Sequence, residues 1–485
     1  MVQSTRSSYA VTDTLAVLQG IAPDGGLFVD PDISSRPFDV EGCLSQPYTA
    51  IAARVFTHLL PGFAPDAEKI ASVYPKKFSA PEITPLRAVG DAYALELYHG
   101  PTSAFKDVAL SVLPLLITSA REEEHMTETI SILTATSGDT GKAALEGFHD
   151  VAGTDITVFF PDGGVSAMQK AQMVTQEGSN VRVCAVRGNF DDCQRGVKEA
   201  FALVNSGKAK ISGRVFSSAN SINIGRLVPQ VTYYFSAYAQ LLAKGKLRFG
   251  ENVDFVVPTG NFGDILAGYL AKQMGLPIGK LICASNANNV LTEFIRTGIY
   301  NKRRPFLKTS SPSMDILVSS NLERLLFYAC EGDTAYVASL MKELNENGSY
   351  TLKGDALAAI QQLFYADFCT EEETTAAIAR LWHESRWLSD THSAVGFAVQ
   401  EKYCRSRDYT GNPCIVLSTA SPFKFPSTVL GALGGTARDN EFETAAALAE
   451  LTGENVPENI AGLRKKPVLH TDVVDIDELT DYALS

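Results

Sequence analysis

No stretch of this 485-residue chain is long and apolar enough to cross a bilayer. The longest apolar run, 108–117, is broken by Pro114 and falls well short of the ~20 residues that a spanning helix needs. Residues 1–13 lack the apolar core of a signal peptide and are too poor in basic side chains for a transit sequence. There is no Cys-x-x-Cys. The eight cysteines (Cys43, Cys184, Cys193, Cys283, Cys330, Cys369, Cys404 and Cys414) lie scattered, which argues for reduced thiols in a cytoplasmic protein and against a disulfide frame or a metal site. Positive charge is short as well: 42 Lys and Arg stand against 55 Asp and Glu, a formal net charge of -13. That balance argues against binding to nucleic acid or to an anionic membrane, so an anionic substrate needs its own basic pocket. A Gly-x-Ser-x-Gly elbow, a dinucleotide fingerprint and a zinc-spaced second histidine after His383-Glu384 are all missing. His58, His125, His149 and His470 read as surface or core residues. Internal repeats and low-complexity tracts are absent too. No surface strip is apolar enough in pattern to argue for a dimer, so monomer and homodimer both stand.

What is present is an ordinary globular composition, 45% hydrophobic and 20% charged, over a length that one core seldom organises. Residues 1–90 read as an N-terminal module, with turn signals at Ala22-Pro23-Asp24-Gly25-Gly26 and Ser34-Ser35-Arg36-Pro37 and a helix-like stretch over 49–60. Arg6 is the one residue of this module that could reach an active site; a surface arginine is the plainer reading. From 130 onward strands and helices alternate. Strands are predicted over 130–134, 156–160, 181–186, 215–218 and 253–257, and helices over 140–149, 166–177, 190–206 and 222–244, the last carrying Pro229. Right-handed βαβ units of this kind build an α/β fold of mostly parallel sheets with helices on both faces. The catalytic body is thus expected over 91–320 and 391–435, its sheet pattern returning once at 414–418. Residues 321–390 read as a helical insertion with a break at Asn345-Glu346-Asn347-Gly348, and 436–485 as an acidic helical tail.

Four patterns could carry chemistry. The first is Leu97-Tyr98-His99-Gly100-Pro101-Thr102-Ser103-Ala104-Phe105-Lys106-Asp107. A lysine held among Phe105, Val108 and Ala109 loses water, which lowers its pKa toward the neutral amine able to attack a carbonyl and form a Schiff base. The alternative is an exposed helix start with Lys106 paired to Asp107. The second is Val257-Pro258-Thr259-Gly260-Asn261-Phe262-Gly263-Asp264, a buried strand running through a glycine loop into a helix, which makes an anion site. A helix terminus alone contributes about 0.3–1 kcal/mol. A phosphate dianion here would therefore need several N–H bonds and a covalent anchor elsewhere; a tight turn without ligand is the alternative. The third is Thr134-Ala135-Thr136-Ser137-Gly138-Asp139-Thr140-Gly141-Lys142, rich in hydroxyls and N–H donors that could hold a carboxylate. It is not a nucleotide P-loop, because Thr136 replaces the first glycine and Ala143 the magnesium-binding hydroxyl. The fourth is Leu417-Ser418-Thr419-Ala420-Ser421-Pro422, where a strand ends in hydroxyls suited to a heterocyclic nitrogen or to an ordinary turn.

Together with Ser4-Thr5-Arg6, 20–27, Asn220-Ser221-Ile222-Asn223, Arg226 and Ser311-Pro312-Ser313-Met314-Asp315-Ile316, these stretches fall in the order found in a known family. The chain resembles the longer threonine synthases, pyridoxal-phosphate enzymes of fold type II related to the tryptophan synthase β chain, over nearly its whole length. The resemblance implies pyridoxal 5'-phosphate as cofactor, with Lys106 as its Schiff-base lysine. It implies Gly260, Asn261, Phe262, Gly263 and Asp264 as the loop for the cofactor phosphate, and Thr419 as hydroxyl partner of the pyridine nitrogen. Ser137, Asp139 and Thr140 fall where the family meets the amino-acid end of the substrate, and Asn223 and Arg226 are candidates for the substrate phosphate. Two departures are visible: Ser421-Pro422-Phe423-Lys424-Phe425 stands where the family has His-Pro-Ala-Lys-Phe, and Arg6-Ser7 where it commonly has Arg-Gly. The implied reaction is O-phospho-L-homoserine and water to L-threonine and phosphate, the last step of threonine biosynthesis, with one domain closing over the substrate. A related phospho-lyase giving 2-oxobutyrate and a non-catalytic pyridoxal-phosphate-binding homologue are the rivals.

Overall fold

Two parallel sheets organise the chain. The computed structural model describes residues 1–136, 138–205, 208–209 and 211–485, and the side chains of all of these except Asp191 and Asn205. The smaller sheet runs Asp472–Asp475, Val181–Arg187, Thr154–Pro161, Thr129–Ala135, Arg214–Ser217, with every neighbouring pair parallel. The larger runs Phe364–Phe368, Ile278–Ser285, Val253–Pro258, Cys414–Ser418, Ala92–Glu96, Leu86–Val89 and is parallel except for its last pair.

Successive side chains of a strand point to opposite faces, so a strand buried on both sides must be apolar throughout. All six residues of Val253–Pro258 are buried. Phe255, Val257, Leu281, Ile415 and Leu417 join the main core with Val231 and Leu266, whereas Val256, Ile282 and Val416 join a second core with Val395, Phe397 and Val399. The small sheet is split in the same way: Ile132, Ile156 and Val158 face the main core, while Leu133, Phe159 and Cys184 face Val197 and Leu479. Asp254 is the polar exception on a central strand. Its carboxylate accepts from Tyr403 Oη at 2.8 Å, Asn412 Nδ2 at 3.0 Å and the Lys280 N–H at 2.7 Å, so burial leaves no oxygen unpartnered.

The predicted strands and helices are present, with ends shifted by at most three residues. Several elements were not expected, among them Leu86–Val89, Ala92–Glu96 and Ile278–Ser285 of the large sheet. The first module carries a small antiparallel sheet of Val2–Ser4, Ala10–Val11 and Phe28–Val29, strands too short for their alternation to register. Residues 321–390 hold the helices Leu322–Ala329, Thr334–Asn347, Gly354–Leu363 and Glu371–Ser385, but also Ser349–Thr351 and Phe364–Phe368. The latter follows its helix without a break and forms an edge of the large sheet. The tail contributes Asp472–Asp475 to the small sheet, a strand whose side chains are exposed or half-buried because it lies at an edge.

Candidate active site

The loops that carry Lys106, Asp139, Gly260 and Thr419 leave the carboxyl ends of parallel strands, where open α/β sheets place their ligands. After Ala92–Glu96 the chain turns through Gly100–Ser103 and enters the helix Lys106–Leu110. This turn is stitched to the end of Cys414–Ser418: Phe105 N–H donates to the Thr419 carbonyl at 2.8 Å and Ser421 N–H to the Ser103 carbonyl at 3.0 Å. Ser103 takes a left-handed conformation, φ 57°. Asp107 does not pair with Lys106. Its carboxylate folds back to accept from Thr102 N–H at 2.8 Å and Thr102 Oγ1 at 2.6 Å, and a Cβ on Gly100 would lie 2.6 Å from its Oδ2. The exposed-helix alternative for Lys106 therefore fails.

Lys106 is half-buried, with its amine beside the Phe105 ring and 3.4 Å from Ser313 Oγ. Loss of water lowers its pKa to about 8; the nearby Lys424 and Arg226 charges add to this and Asp139 opposes it. Ser313 also closes the other side of the site, since a Cβ on Gly260 would stand 2.7 Å from its carbonyl oxygen. The amine and the glycine loop thus share one neighbour.

The loop itself is held by its carbonyls. Ser319 Oγ donates to the Gly260 carbonyl at 2.8 Å, and the Asn321 backbone N–H and Nδ2 each donate to the Asn261 carbonyl at 3.0 Å. Phe262 turns left-handed, φ 64°, and buries its ring near Phe364, so only its backbone is offered to a ligand. The N–H groups from Gly260 to Gly263 have no partner among the described residues, while the Asp264 N–H turns to its own carboxylate; a free row of this kind is the arrangement that receives an anion. Gly263 begins the following helix, where a Cβ would make only ordinary contact with Asn321 Nδ2 at 3.4 Å. Burial pushes the Asp264 carboxyl up to about 7, against the Ile265 N–H that bonds it.

Asp139 opens the helix Asp139–Phe148 and forms a buried ion pair with Lys424 at 2.7 Å. Burial alone would raise its carboxyl, but the Lys424 and Lys106 charges hold it well below the usual carboxylate range. Thr140 lies half-buried in the same first turn, and Ser137 falls outside the described residues. Thr419 is buried and its backbone N–H donates to Ser393 Oγ at 3.1 Å; its hydroxyl has no partner among the described residues.

The two residues named as candidates for the substrate phosphate sit in different surroundings. Asn223 caps the helix Ile224–Ala243: Oδ1 accepts from Gly225 N–H at 2.9 Å, and Nδ2 donates to Val17 O at 2.9 Å and Ser218 O at 3.1 Å. Both amide hydrogens are spent, so it positions the helix start and has no donor left for a ligand. Arg226, one turn on, is buried without a carboxylate in ion-pair reach among the described residues. Its Nε has no hydrogen-bond partner and burial lowers its pKa to about 10. Its Nη1 donates to the Ala219 carbonyl, so the guanidinium beside Lys106 has a backbone partner but no anionic one, which suits it to an anion. Arg6 is engaged in a bidentate pair with Glu323 at 2.8 Å for each contact.

Sequence reasoning missed Lys424 as the partner of Asp139, and also His392. The Asp390 carboxylate accepts from His392 Nδ1 at 3.0 Å, which leaves Nε2 to accept the Ser313 N–H at 3.1 Å. An Asp two residues before a buried His is an ordinary helix-cap pattern, Asp390 capping Thr391–Cys404, and nothing in its spacing betrays the link to Ser313. Among the described residues no three His, Cys, Asp or Glu side chains gather as a metal site, and no helix is long and apolar enough to cross a membrane.

An electrophile-seeking amine, a row of free N–H groups and a lone buried hydroxyl suit one kind of molecule. It has a carbonyl, a dianionic tail and a ring acceptor, as pyridoxal phosphate does. A family model described as pyridoxal-phosphate dependent enzyme matches residues 79–419, and one described as threonine synthase, C-terminal matches residues 393–482. Human threonine synthase-like 1 is 40% identical over 435 residues, covering 86% of this chain and 57% of that protein, so the chain spans little more than half of that relative's length. Threonine synthase of Schizosaccharomyces pombe is 36% identical over 469 residues, with 90% of each chain covered. The crystal structure of PLP-bound threonine synthase from Brucella melitensis shares 36% identity and a TM-score of 0.87, covering 100% of this chain and 98% of that one. The chain belongs to the pyridoxal-phosphate-dependent enzymes and, within them, to the threonine synthase family.

Proposed function

We propose that the chain converts O-phospho-L-homoserine and water to L-threonine and phosphate in the cytoplasm. Lys106 would hold the cofactor aldehyde, the N–H groups of Gly260 to Gly263 its phosphate, and the Thr419 hydroxyl its ring nitrogen. A neutral hydroxyl bond contributes about 0.5–1.5 kcal/mol, enough to orient a ring without forcing its nitrogen to stay protonated. When bound, pyridoxal phosphate supplies an electron sink for charge that develops beside the substrate amine.

The remaining work falls to the chain's own groups. With a pKa near 8, Lys106 can both accept and return a proton at neutral pH, so it suits transfer at the α- and β-carbons of the substrate. Arg226 grips the substrate phosphate until it leaves the γ-carbon. Asp139, fixed by Lys424, would meet the amino-acid end with Thr140 from the same first helical turn, and the resemblance adds Ser137 to this task. Water adds at the β-carbon only after phosphate departs, so the two sheets close over the substrate beforehand. All eight cysteines are free, which supports a reducing compartment.

The observation that carries this reading is the placement of one serine, Ser313, against both the Lys106 amine and the Gly260 backbone. Incubation of purified protein with O-phospho-L-homoserine tests it: threonine and phosphate are expected in equal amounts. 2-Oxobutyrate as the main product would make the chain a phospho-lyase instead. Borohydride reduction followed by peptide mapping should place the trapped cofactor on Lys106.

A further inference from the structure

The turn that delivers Lys106 is braced from far along the chain. Asn459 Nδ2 donates to the Pro101 carbonyl at 2.7 Å and to the Gly100 carbonyl at 3.4 Å, while Ser103 Oγ donates to Asn459 Oδ1 at 3.0 Å. The other groups of the turn have different partners. Lys424 donates to the Thr102 carbonyl at 3.0 Å, Ser421 N–H to the Ser103 carbonyl at 3.0 Å, and Thr102 itself donates to Asp107. From outside the turn, the Gly100 and Pro101 carbonyls are held by Asn459 alone among the described residues. Asn459 is held in its turn, because the next residue, Ile460, and then Leu463 are buried in the second core.

Ser103 needs such a brace, because a left-handed backbone is unfavourable for any residue with a Cβ. An amide fits the position well. It offers donors to two carbonyls and an acceptor to one hydroxyl, whereas an aspartate of the same shape would set a carboxylate against both carbonyls.

We propose that Asn459 is a positioning residue for Lys106, fixing the turn at Ser103 so that the amine is presented to Ser313 and not to solvent. This rests on the role proposed above for Lys106. The mechanism so far uses only groups that surround the amine; Asn459 acts on the backbone that leads to it.

The test uses full-length Asn459→Ala and Asn459→Asp, with Asn440→Ala as control. Asn440 caps the tail helix Glu441–Thr452 through the Glu443 N–H at 2.9 Å and is not a partner of the turn. In cofactor-free protein, acetylation of Lys106 by acetic anhydride is followed against pH by peptide mass. In both Asn459 variants the labelling midpoint should rise toward the ordinary lysine value as the amine regains water. With cofactor added, kcat should fall roughly tenfold or more, and KM should change less. Asn440→Ala should lose thermal stability while both readouts stay at the parent values. Asn459 variants that match Asn440→Ala in labelling midpoint and kcat would overturn the proposal. If neither Asn459 variant folds, Ser103→Ala removes the contact from the other side and is judged by the same two readouts. Lys106→Ala separates the two layers of the argument. Full activity in it would remove the reading of Lys106 itself, whereas its inactivity beside unchanged Asn459 variants would remove only the role of Asn459.

Discussion

Lys106 and Arg226 are cations kept largely from water, and each pays for that with a lowered pKa. For Lys106 the consequence is a pH-dependent reaction. The neutral amine is the form that attacks a carbonyl, so uptake of pyridoxal phosphate by cofactor-free protein should speed up as pH rises, half-maximal near 8, in stopped-flow absorbance. A midpoint near the value of a free lysine would mean that the amine is not desolvated. For Arg226 the consequence is a trade of stability against binding. Arg226→Leu removes a buried charge whose Nε is unpartnered, so the variant should melt at a higher temperature than the parent in the absence of ligand. It should also lose charge-assisted contacts worth about 1.5–3 kcal/mol each, raising KM for the phosphorylated substrate roughly 10- to 100-fold. Asn223 shows how a sequence can mislead at this scale. Its place before a helix is legible as a cap, and capping uses up the amide that phosphate binding would need.

Among the elements, the strand that ends at Pro258 and the helix that begins at Gly263 were readable because their residue types have little freedom: an apolar run, two glycines, then a helical period. The left-handed turn at Phe262 was not, since a phenylalanine there is held by the packing of its ring in the core and by no local preference. Gly260 gives a direct check of the loop. Gly260→Ala would set a methyl group 2.7 Å from the Ser313 carbonyl, a distance at which backbone must move. The variant should keep its fold but bind pyridoxal phosphate at least ~10-fold more weakly by equilibrium dialysis, because the N–H groups lose their common focus. Most alternating strands and helices of the small sheet, and the strands Val253–Pro258 and Cys414–Ser418 of the large one, were legible for the same reason as the loop, whereas Leu86–Val89, Ala92–Glu96 and Ile278–Ser285 were passed over. The edge strands Phe364–Phe368 and Asp472–Asp475 were not legible either. One continues directly from a helix, and the other has too little burial to impose a pattern. His392 escaped notice because its link to Ser313 is made across 79 residues by a backbone N–H, which leaves no mark in residue spacing.

Across the whole molecule, the site exists only where the two sheets meet. Lys106, Gly260 and Thr419 come from loops of the large sheet, and Asp139 from the small one, joined through the buried pair with Lys424. Lys424→Met would leave the Asp139 carboxylate buried without its cation, a loss of about 3–5 kcal/mol. Urea unfolding should show it, most strongly at neutral pH. Asp139 has a depressed pKa in the folded protein, so its stabilising share is present above the ordinary carboxylate range and fades as pH drops below ~4. Parent and variant should therefore converge in acid. The late segment of the chain completes this junction from two directions, with Asn459 on the lysine turn and Asp472–Asp475 on the rim of the small sheet. During synthesis the ribosome releases Lys106 more than three hundred residues ahead of both. A nascent polypeptide thus carries its reactive amine without the clasp that aims it, and cofactor capture belongs to the completed chain.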